Sequence, residues 1–173
     1  MSKQAKLDGR YTRGAELFTN LVLETFRLNG CLTFAGDRMT KSLGLSTARW
    51  QTLGALAIAH RSLTVPQIAR AMGLQRQSVQ RNVDLLVRDG MVVTVDNPDH
   101  QRARLVVPTA KGKAAYAKAI AIQIRWAEGM SAGLPISDLA AAVSVLGTLR
   151  TRIEHEKHFV AKKLLPKSSS QLK

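Results

Sequence analysis

From Tyr11 to Leu43 apolar residues recur at helical spacing, through Leu17, Leu21, Phe26, Leu28, Leu32 and Met39. The pattern predicts one long helix, weakened by Gly30 and Gly36, which are expected to bend it. Gly44 then supplies a stop, and Ser46 a start, for a second helix carrying Trp50, Leu53, Leu56 and Ala57. Another start lies in "SLTVPQIARAMGL". Thr64 caps, Gln67 stands three residues on to complete a capping box, and Pro66 falls in the first turn. Gly73 ends that short helix. The next spans about Gln75 to Asp89, ends at Gly90, and gathers Val79, Val83, Leu86 and Val87 on one face.

Beyond Gly90 the period changes from helical to extended. "MVVTV" (91–95) and "ARLVV" (103–107) are rich in β-branched residues and flank the polar loop "DNPDHQR". That is the signature of a hairpin with a long tip. Thr109 caps a further helix through Tyr116, Ile120 and Ile124, which "GLP" (133–135) breaks. Ser137 is expected to cap a last helix along Leu139, Val143, Leu146, Leu149 and Ile153, running into "KKLLPKSSSQLK". Two helices joined by a glycine turn, followed by a hairpin, make a winged helix-turn-helix. The fold class is therefore mainly α with a small β wing, with further helices at both ends of the chain.

Charge adds a partner to this picture. The 173 residues carry a net +14. Residues 50–118 hold ten Lys/Arg against four Asp/Glu, and residues 150–173 seven against two, whereas 119–149 are close to neutral. A basic centre and a basic tail favour a polyanion, most simply nucleic acid, over a protein that is merely soluble. An anionic membrane surface is less favoured, because no Lys-rich helix carries a bulky apolar face. No uncharged apolar run reaches about 18 residues, and the first residues lack the apolar stretch of a signal peptide. With a single cysteine, Cys31, no internal disulfide forms, and a cytoplasmic location is expected. No Gly-rich phosphate loop, Gly-x-Ser-x-Gly or His-Glu-x-x-His occurs, so neither an enzyme nor a cofactor is expected.

The helix before the hairpin shows where a nucleic acid fits. Opposite its apolar face lie Gln77, Arg81, Asp84 and Arg88. Gln pairs two ways with adenine and Arg with guanine, so Gln77 and Arg81 are the base-reading candidates, with Gln80 beside them. Arg76 and Ser78 suit phosphates, and Arg88 lies near the helix end. In the wing, Arg102 and Arg104 reach a minor groove or its phosphates.

Three stretches in this order carry a family resemblance: "GLSTARWQTLGAL", "LTVPQIARAMGLQRQSVQRNVDLLVRDGMV" and "DNPDHQRARLVVPTAKG". From about residue 15 to 155 the chain resembles the MarR family of winged-helix transcription regulators. The resemblance implies a DNA-binding homodimer on a near-palindromic operator, most simply a ligand-responsive repressor acting by occupancy. It divides the chain into a flexible basic arm (1–10), an N-terminal dimerisation helix (11–43) and a DNA-binding domain (44–108). C-terminal linker and dimerisation helices (109–165) and a disordered basic tail (166–173) complete it. Dimerisation is assigned to Leu17, Leu21, Leu146, Leu149 and Ile153, and an anionic aromatic effector to a cleft lined by Phe34, Arg38, Trp50 and His60. Where the family's wing usually reads Asp-x-Arg, this chain has His100-Gln101-Arg102, so the usual Asp–Arg brace is not expected, and Asp96 and Asp99 are the candidate substitutes. One branch of the family senses peroxides through a first-helix cysteine; here a buried, inert Cys31 is the favoured reading. "EHEKH" (154–158) sets His155 and His158 one turn apart, which falls short of a metal site and reads as a solvated helix end. Two other readings stay open: a nonspecific architectural DNA-binding protein, and a winged-helix module for protein or RNA.

Overall fold

The computed structural model describes residues 12–100 and 102–163, with side chains described through Glu156. The basic arm (1–10) and tail (166–173) lie outside the described residues.

Helix α1 (Arg13–Thr40) is one unbroken element of 28 residues. Thr12 caps it, its Oγ1 accepting from the Ala15 N–H at 3.2 Å. Neither Gly30 nor Gly36 interrupts it. Gly36 instead marks a close approach, because Thr47 of the next helix reaches in at that level. The Thr47 hydroxyl donates to the Thr33 carbonyl at 2.9 Å, and its N–H donates to the Asp37 carboxylate at 2.7 Å. The helix stops short of the expected Leu43. The hydroxyl of buried Thr40 lies 2.8 and 2.9 Å from the carbonyl oxygens of Gly36 and Leu45, and Lys41–Leu43 tighten into a 3-10 turn. Ser46 caps α2 (Thr47–Ala59) as expected.

Strand β1 (Leu63–Thr64) leads into α3 (Val65–Met72) and α4 (Arg76–Arg88), followed by β2 (Val92–Val95), β3 (Leu105–Pro108) and α5 (Ala110–Ser131). The sheet is antiparallel in the order β1-β3-β2, pairing Leu63 with Val106 and Val95 with Leu105. The hairpin is the expected one, whereas β1 was not foreseen. Two residues carry no period, and their partners lie about forty positions away.

The core joins Leu45, Leu53 and Leu56 to Leu63, Ile68, Val79, Val83, Leu86, Met91, Val92 and Val106. Truncating one of these to alanine costs about 2–5 kcal/mol. Val87, expected on this face, is 41% exposed. At about 100° per residue it sits well round α4 from the Val79–Val83–Leu86 seam.

The chain divides after Trp126, within α5, into two compact units. The second unit holds the end of α5 and helix α6 (Ile136–Lys163). Ser137 does not cap α6. The Pro135 carbonyl already accepts from the N–H groups of Asp138 and Leu139, so Ser137 falls inside the first turn. Both long terminal helices expose apolar side chains. Phe26 of α1 is 68% exposed beside Leu17, Leu23 and Leu32, and Val143 of α6 is 71% exposed beside Leu139, Leu146 and Ile153. Among the described residues no single helix is long and apolar enough to cross a membrane.

Candidate nucleic-acid interface

The helix-turn-helix is set by local chemistry. At the start of α3 the Thr64 N–H donates to the Gln67 carboxamide oxygen at 2.8 Å, with the Thr64 hydroxyl 3.1 Å from the same oxygen. At its end Gly73 takes φ +63°, a left-handed conformation that a side chain disfavours, and turns the chain into α4. Val79, Val83 and Leu86 then anchor α4 in the core. That anchoring leaves two other faces. Gln77 and Arg81 form an exposed ridge on the far side, while Arg76, Gln80 and Val87 face the wing about a quarter turn away.

Between α4 and the wing runs a groove of about 1170 Å³. It gathers four of the expected contact residues, Arg76, Gln80, Arg102 and Arg104, and adds Arg61 and Arg70. Five guanidiniums therefore line it, against the carboxylates of Asp84 and Asp99. Gln77, Ser78, Arg81 and Arg88 are not part of its walls. Ser78 is half-buried, and exposed Arg88 holds its Nε 3.6 Å from the Asp89 carboxylate. Gln80 donates to Asp84 at 2.8 Å, a bond that must open before it reads a base. Arg61 and Arg70 escaped the sequence reading because they precede α4 and their charge was their sole signal.

Asp96 braces Arg104 rather than Arg102. The register that pairs Val95 with Leu105 sets Asp96 opposite Arg104, whose Nε lies 3.5 Å from the carboxylate. The same guanidinium donates to the Thr94 carbonyl at 3.0 Å. Arg102, beyond the end of the ladder, is exposed and makes no ion pair among the described residues. The tip is held by Asn97, whose side-chain amide donates to the Ala103 carbonyl at 3.0 Å.

The other end of α4 is clamped. Asp89 meets Arg49 of α2 at 2.8 Å, in a pair shielded on both sides, and its carbonyl accepts from Lys111 Nζ at 2.8 Å. Thr109 donates from its hydroxyl to the Gly90 carbonyl at 2.8 Å and from its N–H to the Met91 carbonyl at 3.0 Å. Its Oγ1 also accepts from the Gly112 N–H at 3.1 Å, capping α5. The first turn of α5 thus fixes where α4 ends and the wing begins.

A second cavity, about 450 Å³, lies behind β3. Leu53, Leu56, Val107, Pro108 and the Tyr116 ring give it an apolar floor, with His60, Arg61 and Lys113 at its edge. Val106 lines the groove and Val107 the cavity, as alternation along a strand requires. Arg61 and Ser62 belong to both. The expected effector quartet is not brought together there, since His60 alone of the four lines the cavity. Trp50 stands near the start of α2 and His60 just past its end, about 15 Å apart along the axis. Phe34 and Arg38 pair with each other on α1, the guanidinium carbon 5.9 Å from the ring centroid. Cys31 is exposed, against the expectation of burial. His155 is exposed on α6, and the His158 side chain lies outside the described residues. Among the described residues no three His, Cys, Asp or Glu converge as metal ligands would.

Residues 43–103 match the sequence profile of the MarR family. An uncharacterized protein of Mycobacterium tuberculosis is 41% identical over 93 residues, which cover 54% of this chain and 64% of that protein. The transcriptional activatory protein BadR of Rhodopseudomonas palustris is 28% identical over 113 residues, 64% of this chain and 65% of BadR. The chain therefore spans less than two thirds of the length of these curated relatives. The crystal structure of the M. tuberculosis regulator MosR in complex with DNA superposes with a TM-score of 0.64, at 24% identity. That match covers 76% of this chain and 96% of MosR, and it establishes likeness of fold. Through residues 43–103, which contain the helix-turn-helix and most of the wing, the chain matches the MarR family profile, and its fold is like that of MosR.

Proposed function

We propose that the protein is a double-stranded-DNA-binding transcription regulator that reads a near-palindromic site as a homodimer. The observation that carries this reading is the exposed Gln77–Arg81 ridge standing beside a groove with five guanidiniums. The ridge has the residue types that read base edges in a major groove, and the groove has the charge that holds phosphates. MosR, similar in fold, has been crystallised with DNA. Arg102 is the wing residue proposed to enter the minor groove, since Arg104 is already tied to Asp96. Arg76, Ser78 and Arg88 are assigned to the backbone.

Dimerisation is proposed through α1 and α6, each of which exposes a run of apolar side chains. Leu17, Leu146 and Ile153 are exposed, and Leu21 and Leu149 are half-buried. A second copy that covers these faces sets two ridges about 34 Å apart, one helical turn of DNA. The site of action is then the cytoplasm. Repression follows where the dimer occupies a promoter; activation, the role in BadR's name, follows where it binds beside one.

Control by a small molecule is proposed through the cavity behind β3. Its apolar floor and basic edge suit a small anion with an apolar body. An anion seated there competes with DNA phosphates for Arg61, which both spaces share.

Selection of duplexes from a random pool by the full chain tests the reading. Enrichment of an inverted repeat supports it; equal retention of all duplexes supports an architectural coat, and retention of none a protein or RNA module. On the enriched duplex, Arg81→Ala is expected to weaken binding by about 1–3 kcal/mol and to relax preference at one base per half-site. Weakening that is the same for every sequence moves Arg81 to the phosphate class. Arg70→Ala is expected to leave sequence preference intact. It lowers the slope of log Kd against log salt by about 1 per protomer, read from a salt titration.

A further inference from the structure

His100 lies at the wing tip and lines the groove, and the proposed function gives it no task. We infer that His100 is a DNA contact whose protonation is coupled to binding, so that the protein takes up protons as it seats on a duplex. The inference rests on the DNA-binding reading.

The geometry supports a defined position with a free side chain. The His100 N–H donates to the Asn97 carbonyl at 3.1 Å, and the His100 carbonyl accepts from the Ala103 N–H at 3.0 Å. Both bonds pin the backbone at the wing tip. The imidazole itself is exposed, has no hydrogen-bond partner among the described residues, and lines the groove.

The charged groups that share the groove with it come from three parts of the fold. From the wing, Arg102, Arg104 and Asp99 line the same groove, and Asp96 lies against Arg104. From α4 come Arg76 and Asp84; from α3 and the turn before it come Arg70 and Arg61. Five cations outnumber the carboxylates along the groove, so the groove attracts a phosphate backbone. Entry of that backbone brings negative charge to the imidazole and favours the imidazolium, which then donates to a phosphate oxygen from either ring nitrogen. The proton comes from solvent, and the phosphodiester keeps its charge. Histidine is the side chain whose ordinary titration falls in the physiological window, so the coupling is expressed there.

Fluorescence anisotropy of the full chain on a labelled duplex enriched from the random pool tests this, at fixed ionic strength. Lowering the pH from about 8 to about 6 is expected to tighten Kd on the order of tenfold, with His155→Gln on α6 retaining that slope. His100→Gln is expected to flatten the slope to about twofold or less, and His100→Arg to bind with high affinity and no slope. Persistence of the wild-type slope in His100→Gln, or no slope in the wild type, overturns the inference and leaves the DNA-binding reading standing. Absence of duplex binding at every pH overturns both.

Discussion

Gly112→Val is expected to lower the thermal midpoint by roughly 6–12 °C, equivalent to about 3 kcal/mol. A Cβ at Gly112 meets the backbone carbonyl of Met91, well inside contact distance, and backbone cannot rotate aside as a side chain can. The two segments cannot simply separate either. Thr109 bonds to the carbonyls of Gly90 and Met91 and caps Gly112, while Lys111 holds the Asp89 carbonyl. A valine must break this set or displace the end of α4. Gly129→Ala, later in the same helix with open space around its Cβ, is expected to be neutral or stabilising by up to about 1 kcal/mol. Circular-dichroism melts of the two variants compare them directly. Equal midpoints show that the α4–β2–α5 junction yields more easily than its hydrogen bonds imply.

Leu17→Glu combined with Leu21→Glu is expected to give a folded monomer that has lost about 100-fold or more in affinity for a two-half-site duplex. Neither leucine belongs to the buried core, so the winged domain has no reason to unfold. The loss arises because one copy presents a single ridge, and the second half-site no longer binds at the high effective concentration that tethering provides. Sedimentation gives the mass, and titration of one-site and two-site duplexes gives the affinities. A variant that remains dimeric places the interface elsewhere. A monomer that keeps full two-site affinity removes the need for a dimer.

Much of this architecture was legible because its signals are local. A threonine followed by glutamine three residues on, or a glycine after a run of helical spacing, specifies an end within a few residues. Thr64, Gln67, Gly73 and Gly90 accordingly stand where expected. The hairpin was legible for the same reason, since β-branched residues crowd both strands. What escaped depends on distant partners. Strand β1 exists through β3, Arg70 joins the groove through the packing of α3 against α4, and Arg61 joins it from the turn that leads into β1. The wing ion pair was assigned to Arg102 by proximity along the chain, whereas register across the hairpin gives Asp96 to Arg104. Val87 illustrates a subtler limit. Helical spacing puts it near the apolar face, but a core one seam wide does not reach that far round α4. The effector quartet is not gathered at the cavity behind β3: Trp50 and His60 share a helix, yet its length separates them, and His60 alone lines that cavity.

The most direct test of the central claim is the spacing in the DNA that the wild-type chain selects. If two α4 ridges face successive major grooves, the enriched duplex carries inverted half-sites centred about 10–10.5 base pairs apart, and its hydroxyl-radical footprint is twofold symmetric. An unpatterned footprint that follows the protein along any duplex, or one lone half-site bound with full affinity, contradicts it.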